Sequence, residues 1–387
     1  MLAETVAPAI PRRMAFDFRL LAIPLGFAVL GYFMRLFAYL VAGWKPSIWA
    51  YPDGLCRWDC QWYVILAKNG YDPFPVPDLL DAGNWAFFPL FPGIVGGLHA
   101  LSGWPVMNIA TAVSIALSIA AALVAYELFD RNLRAFVLYS AFLLCGPFSI
   151  YFTSFFTEVL FVLLTNCVML ALKRSNYLAA GFFAGLLSAT RIVGVFIVVA
   201  IALQWLLDYR ARGGTLRGLL PEVWRRPEII LAVLISPLGC FAYMAYLYHL
   251  MGDALAFQHV QRAWGRVPGN PLEYLWIGLT DWPDSGFWPS TNQWLGLAAL
   301  FGIGMTAVLA FQRKYPMAVF SLICLVLPLS AGMASMLRFV VALSPVVLPV
   351  MMLLARWRVL FFLALAAFVV GDYFFTVGWL EEWLPLV

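Results

Sequence analysis

The chain has few charged residues and very few histidines. Charged side chains make up 11% of its 387 residues, against about 25% in a typical soluble domain, and this excludes a soluble globular protein. Its histidines, His99, His249 and His259, are scattered without the paired spacing of metal ligands, so no structural metal site is expected. Glycine-rich phosphate loops and dinucleotide fingerprints are absent, so nothing in the sequence predicts binding of ATP or a nucleotide sugar.

Long apolar runs dominate what is present. Hydrophobic residues make up 64% of the chain, and a membrane-spanning helix needs roughly 20 consecutive apolar residues. We therefore predict an all-α polytopic membrane protein, a single integral membrane domain over residues 1–387 with about eleven transmembrane helices. The predicted spans are 16–42, 106–128, 135–152, 157–172, 177–190, 192–209, 228–250, 293–312, 316–334, 338–355 and 359–377.

The distribution of basic residues favours one orientation. Lys and Arg collect on the cytoplasmic side of membrane proteins. With the N-terminus inside, 16 of the 24 Lys and Arg residues fall at the inner ends of spans, and most acids fall outside. A single helix over 177–209 would instead place the basic segment 210–226 outside. The sequence therefore predicts a break at Arg191 and an N-in, C-out topology.

Two predicted outer loops, 43–105 and 251–292, are too long to be simple connectors. In the first loop, residues 57–69 place an apolar stripe along one helical face, and residues 86–101 are apolar but interrupted by Pro and Gly. We interpret both segments as amphipathic helices in the headgroup layer. The stripe consists of Trp58, Trp62, Ile65 and Leu66, with Asp59, Tyr63 and Lys68 off it.

Cys56 and Cys60 lie four residues apart in the same loop. If this segment is helical, a disulfide between them would be strained. Cys145, Cys167, Cys240 and Cys324 fall inside predicted spans, where a free cysteine behaves as a small apolar side chain.

Several short motifs occur in order along the chain. The first outer loop contains RWDCQWY (57–63), then GYD and AFFPLFP (86–92). Later come SFFTEVLF with Thr157 and Glu158, SATRIVG (188–194), QHVQRAW (258–264) and LRF (337–339). Together these motifs resemble the PIG-V-like family. Its eukaryotic members resemble the second mannosyltransferase of glycosylphosphatidylinositol anchor synthesis, and it has shorter bacterial relatives.

The chain departs from the family pattern at two motifs. The family usually shows Ser-Glu where this chain has Thr157-Glu158, and an Arg-Ser-Asn-Gly type motif where it has SATRIVG. The second departure, around Arg191, bears on the identity of the acceptor more than on the fold. Together with the compact length, it favours a bacterial inner membrane over the endoplasmic reticulum.

The resemblance implies a GT-C type glycosyltransferase. Such enzymes take a sugar, here most simply mannose, from a polyprenyl-phosphate-linked donor and pass it to a lipid or glycan acceptor. The reaction takes place on the periplasmic or lumenal face, with inversion at the anomeric carbon. An acid of the first outer loop is the usual base, which on this sequence is Asp59. The partners implied are this donor, the acceptor and membrane lipids, with no nucleic acid.

The chemistry can also be argued from the residues themselves. A sugar hydroxyl is a weak nucleophile, so a carboxylate must take its proton, and one base suffices for inversion. The departing phosphate needs cationic donors, for which the fork of Arg is suited. An arginine side chain within the hydrocarbon region is energetically costly and therefore indicates a functional site by default. Arg35, Arg191 and Arg338 are accordingly the predicted phosphate ligands.

The predicted acceptor- or sugar-binding residues come from the outer face. They are Glu158, Gln258, His259, Gln261, Arg262, Trp58, Trp62 and Tyr63. No cofactor is predicted, and a divalent metal is left open.

Simpler roles exist for most of these candidates. The simpler role of Asp59 is that of a helix cap or a partner of Arg57, and that of Arg35 is to pair with a buried acid such as Glu158. Arg191 and Arg338 would serve as anchors that reach the membrane surface. The Trp and Tyr residues are typical of an interfacial belt.

Two other functional classes stay open. A lipid or oligosaccharide transporter or flippase also needs many spans, but it usually shows internal repeats and midplane polar sites. This chain shows no convincing repeat, and its polar residues gather on one face. A non-catalytic GT-C-like assembly subunit is the other alternative, and the presence of Asp59 argues against it.

Overall fold

A computed structural model describes residues 18–42, 47–75, 81–281, 290–383 and 386. Within these residues the chain forms helices and connecting turns, and no strand occurs among them. The helices are α1 Phe18–Ala42, α2 Tyr51–Gly54, α3 Asp59–Asn69, α4 Leu90–Ser102, α5 Val106–Leu128, α6 Leu133–Cys145, α7 Ser149–Thr153, α8 Glu158–Lys173, α9 Tyr177–Ser188, α10 Ile197–Ala211, α11 Leu219–Arg225, α12 Pro227–Ile235, α13 Leu238–Met251, α14 Ala256–His259, α15 Pro271–Thr280, α16 Thr291–Phe311, α17 Tyr315–Leu329, α18 Met336–Val341, α19 Ser344–Arg356 and α20 Arg358–Leu380.

The predicted all-α polytopic membrane protein is confirmed. Each of the eleven predicted spans overlaps at least one helix, and the spans 135–152, 228–250 and 338–355 each overlap two. Among the described residues, six helical stretches are long and apolar enough to cross a membrane: Phe18–Ala42, Val106–Leu128, Ile192–Ala211, Pro227–Met251, Thr291–Phe311 and Arg358–Leu380. The number eleven and the N-in, C-out orientation stay predictions. Four charges used in the topology argument, Arg12, Arg13, Asp78 and Asp284, lie outside the described residues.

The burial pattern separates inner from outer helices. Helix α6 is buried along nearly its whole length from Ala135 to Cys145, and α8 is buried through most of its first two turns. A helix that is apolar all round belongs in the interior. By contrast, α1 and α20 leave large apolar side chains more than half exposed, among them Phe33 and Phe374, as expected for surfaces that face lipid. The interior position of α8 matters because Glu158 begins it.

The predicted break at Arg191 is present. Helix α9 ends at Ser188, and Arg191 is extended, with φ −158° and ψ 147°. A 3₁₀ turn over Ile192–Phe196 then leads into α10. A Cβ atom on Gly194 would lie 2.4 Å from the backbone oxygen of Leu187, so only glycine fits this close approach.

The apolar stripe predicted for the first outer loop is wrong in part. Helix α3 begins at Asp59 rather than at residue 57, because Trp58 has a positive φ of 48° and lies outside it. The buried face is Cys60, Tyr63 and Leu66, whereas Ile65 is 39% exposed. Tyr63, predicted off the stripe, therefore faces the core.

The condition for a strained Cys56–Cys60 disulfide, a helix that contains both residues, is not met. The two cysteines are joined, with their Cα atoms 5.2 Å apart, a separation usual for disulfides. The expectation assumed that both residues lie in one helix. Because α3 starts at Asp59, Cys56 is outside the helix and is free to approach Cys60.

Arg35, one of the predicted phosphate ligands, lies in the helical core instead. Its Nη1 is 3.2 Å from Asp372 Oδ1, and both side chains are only 1% exposed. The same nitrogen donates to the Leu144 carbonyl oxygen at 3.0 Å and to Ser149 Oγ at 2.7 Å. This buried pair connects α1 to α20 and to the α6–α7 turn.

We expect the Arg35–Asp372 pair to be needed for stability. Asp372→Ala leaves a buried, unpaired guanidinium and should cost about 3–5 kcal/mol, measured as resistance to unfolding in a detergent titration. Glu381→Ala, which removes an exposed acid just after the same helix, should change stability by less than about 0.5 kcal/mol. The double variant Arg35→Met/Asp372→Leu should recover much of the loss. Equal stability of Asp372→Ala and Glu381→Ala would contradict this role.

Candidate active site

Asp59 is the first residue of α3 and is held by one arginine. Arg338 Nη1 donates a 2.7 Å hydrogen bond to Asp59 Oδ2, and 26% of the Asp59 side chain is exposed. Within the described residues, the other carboxylate oxygen, Oδ1, has no hydrogen-bond partner. Arg57, the alternative partner, instead pairs with Glu382 at 3.3 Å. Asp59 therefore has one oxygen fixed and one that a bound molecule can reach.

The turn before α3 fixes where Asp59 begins the helix. Trp58 adopts φ 48°, a conformation that costs free energy for a bulky residue. Its ring packs edge-on against Trp379, with the centroids 4.6 Å apart. The disulfide between Cys56 and Cys60 closes the loop around it. The ring contact and the disulfide together hold Trp58, and hence Asp59, in place.

Glu158 is a second acid, and it is almost completely buried. Only 2% of its side chain is exposed, and Arg191 Nη1 donates to Glu158 Oε1 at 2.7 Å. Arg338 Nε also lies 3.1 Å from the same oxygen. Glu158 Oε2 is buried and has no hydrogen-bond partner within the described chain. Arg338 thus bridges Asp59 and Glu158.

Both acids stand at helix N-termini. Asp59 lies in the first turn of α3 and Glu158 in the first turn of α8. The unsatisfied N–H groups and the dipole of a helix favour negative charge at this end. The helix N-termini therefore stabilise the two carboxylates, and so do the arginines.

The cationic side of the cluster comes from Arg191 at the helix break and Arg338 in α18. Their guanidinium carbons lie 4.7 Å and 5.7 Å from the centroid of the Phe339 ring. Arg338 is 10% exposed and Arg191 17%. Each arginine therefore combines a carboxylate partner with an aromatic face, which is a favourable arrangement for a guanidinium.

Arg266 and Phe339 also belong to this cluster, and neither was among the predicted site residues. The Arg266 guanidinium carbon lies 5.8 Å from the Phe339 ring centroid. Burial lowers the pKa of Arg266 to about 10, with the positive charges of Arg338 and Arg191 acting in the same direction. The available sequence signals were the position of Arg266 directly after Gly265 in an outer loop and the LRF motif.

Tyr63 forms part of the wall behind the two acids. Its side chain is 7% exposed, and its hydroxyl lies 3.3 Å from Thr157 Oγ1. Burial raises the pKa of Tyr63, and the negative charges of Glu158 and Asp59 raise it further. Tyr63 is thus a neutral hydroxyl near the carboxylates. Trp62 lies farther along α3, stacked on Phe87 with the centroids 6.0 Å apart.

The remaining predicted residues of the second outer loop make no hydrogen bond or ion pair with Asp59 or Glu158 in the described structure. Gln258, His259 and Arg262 are exposed, and Gln261 Nε2 donates to the Phe257 carbonyl oxygen at 3.3 Å. His259 Nδ1 lies 2.7 Å from Asp253 Oδ2, and this hydrogen bond lowers the pKa of Asp253.

His259 and Asp253 help to line a cavity of about 320 Å³ whose wall also includes Phe74 and Trp85. In the described part of the chain, no group of three or more His, Cys, Asp or Glu side chains is placed to hold a metal ion.

The sequence of this chain is similar to those of known mannosyltransferases. The chain is 30% identical to GPI alpha-1,6-mannosyltransferase 2 of Mus musculus, over 50% of the chain and 41% of the relative. It is also 30% identical to the protein of the same name from Cricetulus griseus, over 59% of the chain and 51% of the relative. The predicted resemblance to the PIG-V-like family is confirmed. The matched region spans about half the length of these PIG-V relatives, and no family model matches the chain.

We expect the Cys56–Cys60 disulfide to fix the backbone around Asp59. The amides of Cys60 and Gln61 donate to the carbonyl oxygens of Arg57 and Trp58, so they report on this turn. In the double variant Cys56→Ser/Cys60→Ser, hydrogen exchange at these two amides should accelerate at least tenfold, which corresponds to about 1.4 kcal/mol of local stability.

The matched control replaces Cys145 and Cys167, which are free thiols, by serine and should leave these two amides unchanged. Unaltered exchange at residues 60 and 61 in the first double variant would show that the turn does not depend on the disulfide.

Proposed function

We propose that this protein is an inverting membrane glycosyltransferase. It moves a sugar, most simply mannose, from a polyprenyl-phosphate-linked donor to a lipid or glycan acceptor. The similarity to proteins named mannosyltransferases supports the sugar-transfer class and the choice of mannose. The arrangement of Asp59 supports its role as the general base.

The observation that carries this proposal is the state of the Asp59 carboxylate. Arg338 holds Oδ2 at 2.7 Å, while Oδ1 is unpaired in the described structure and the side chain is partly exposed. A general base needs a fixed direction and an open oxygen within reach of the proton that it removes. Asp59 combines both properties, and it does so in the loop that carries the most specific motif.

The reaction follows as a single displacement. Asp59 Oδ1 takes the proton of an acceptor hydroxyl while that oxygen attacks the anomeric carbon. A new C–O bond forms as the bond between the anomeric carbon and the phosphate oxygen breaks. The electron pair leaves with the polyprenyl phosphate, and the configuration at carbon inverts.

The second acid fits a single-displacement mechanism. Glu158 is 2% exposed and its Oε1 lies between two arginines, which leaves it poorly placed to attack a sugar. A retaining enzyme would need a second carboxylate as the nucleophile. We assign Glu158 to fixing the positions of Arg191 and Arg338.

All five charged residues of the cluster come from segments predicted on one side of the membrane. Asp59 and Arg266 come from the two long outer loops, and Glu158, Arg191 and Arg338 come from the outer ends of predicted spans. We therefore place the reaction on the non-cytoplasmic face. The altered motif around Arg191 favours the periplasmic face of a bacterial inner membrane.

The base assignment is tested with Asp59→Asn. This change keeps a hydrogen-bond acceptor for Arg338 but removes the proton-accepting charge, so transfer should fall by at least about 10²-fold. The measurement adds purified protein and labelled polyprenyl-phosphate mannose to membranes from cells lacking the protein. The label is then followed into glycolipids and glycans by mass spectrometry.

Asp53→Asn is the matched control, because Asp53 is an exposed acid of the same loop, and it should keep the parental rate. Thermal stability of both variants verifies folding. An unchanged rate in Asp59→Asn would overturn the base assignment. Movement of an intact lipid-linked sugar across the membrane, unaffected by Asp59→Asn, would instead favour a transporter.

A further inference from the structure

Arg266 is the one guanidinium of the cluster without an acidic partner in the described chain. Arg191 and Arg338 lie 2.7 Å from oxygens of Glu158 and Asp59, respectively. The hydrogen bond of the Arg266 side chain is a long one, 3.4 Å from Nη2 to the Ala334 carbonyl oxygen. The cluster thus holds three guanidinium groups and two carboxylates, and the unmatched charge is at Arg266.

The position of Arg266 is nevertheless fixed by the backbone. The 3₁₀ turn Val260–Trp264 ends at Gly265, which has φ 66°. The loop that follows is joined to the end of α17 by a 2.7 Å hydrogen bond from Gly269 N to the Ser330 carbonyl oxygen. The backbone that carries Arg266 is therefore held in a defined position.

Phe339 provides the surface on which the three arginines meet. Arg191, Arg266 and Arg338 lie 4.7, 5.8 and 5.7 Å from its ring centroid. Like charges gathered in a partly desolvated site repel each other, and a nearby anion offsets this repulsion. Two of the three guanidinium charges are neutralised by carboxylates. An anion bound at Arg266 would neutralise the third.

We propose that Arg266, over Phe339, forms an anion subsite that binds the phosphate of the lipid-linked donor. Arg191 and Arg338, previously expected to bind this phosphate, position Glu158 and Asp59. This assignment rests on the proposed function for the identity of the donor. The subsite itself rests on the missing acidic partner and on the three-arginine geometry.

The ligand chemistry is a phosphate group bound by the planar fork of a guanidinium. Phosphate reaches this part of the molecule from a polyprenyl phosphate, from a phospholipid headgroup or as the free ion. The probe must therefore separate these three sources.

The test uses the otherwise unchanged protein in phosphatidylcholine nanodiscs. The probe is a radiolabelled short-chain polyprenyl phosphate, which carries no sugar, so binding is measured without turnover. Arg266→Ala should weaken its binding by about 10- to 100-fold, as expected for loss of a charged hydrogen bond. The affinity of the Arg266→Lys variant for the probe should lie between those of the parent protein and the Arg266→Ala variant. Lysine keeps the positive charge but lacks the planar fork of the guanidinium. Thermal stability should stay unchanged in both variants.

The matched control is Lys68→Ala, at the end of α3 in the first outer loop. Lys68 is an exposed cation outside the cluster, so binding should change less than about twofold. Binding unaltered by Arg266→Ala, or equally weakened by Lys68→Ala, would overturn the subsite.

Competition identifies the source of the phosphate. Unlabelled polyprenyl phosphate should displace the probe far better than phosphatidic acid or inorganic phosphate. Equal displacement by phosphatidic acid or by inorganic phosphate would overturn the assignment to the donor carrier. If probe binding depends on Arg266 but sugar transfer survives Asp59→Asn, the subsite is supported and the role of Asp59 as the base is rejected. The anion subsite and the base assignment can therefore fail separately.

Discussion

The structure around the site depends on the buried guanidinium of Arg338. It bonds to Asp59 at 2.7 Å and lies 3.1 Å from Glu158, so one side chain joins the first outer loop to the start of an interior helix. A buried charge is tolerated only when its partners are in place. The position of Asp59 is therefore determined by α8 and α18 as much as by its own loop.

The other features of the site follow from this constraint. Glu158 can be 2% exposed because two arginines and a helix N-terminus compensate its charge. The break at Arg191 turns that arginine toward Glu158 instead of continuing a helix into lipid. With both carboxylates paired, the remaining positive charge at Arg266 and the open oxygen of Asp59 are what the protein offers a substrate. An anionic leaving group and a hydroxyl nucleophile are the chemical groups that match them.

Sequence patterns predicted much of the fold and part of the site. Helix positions follow from hydropathy, and the break at Arg191 follows from the positive-inside rule, because an unbroken helix would misplace residues 210–226. Pairings between distant segments do not follow from any local pattern. Arg35 and Asp372 are 337 residues apart, and nothing local distinguishes Arg35 from Arg338. The face of α3 was misplaced because its buried residues pack against distant segments, Cys60 against Met107 and Tyr63 against Thr157.

The most direct test of the account is a structure with a non-transferable donor, a polyprenyl phosphonate joined to mannose through carbon. We predict that the phosphonate lies within hydrogen-bond distance of Arg266 and that the anomeric carbon faces Asp59 Oδ1, with room for one hydroxyl oxygen between them. Asp59 should keep its contact with Arg338. A donor bound elsewhere, for example in the cavity beside His259, or one whose sugar lies beyond the reach of Asp59, would contradict the account.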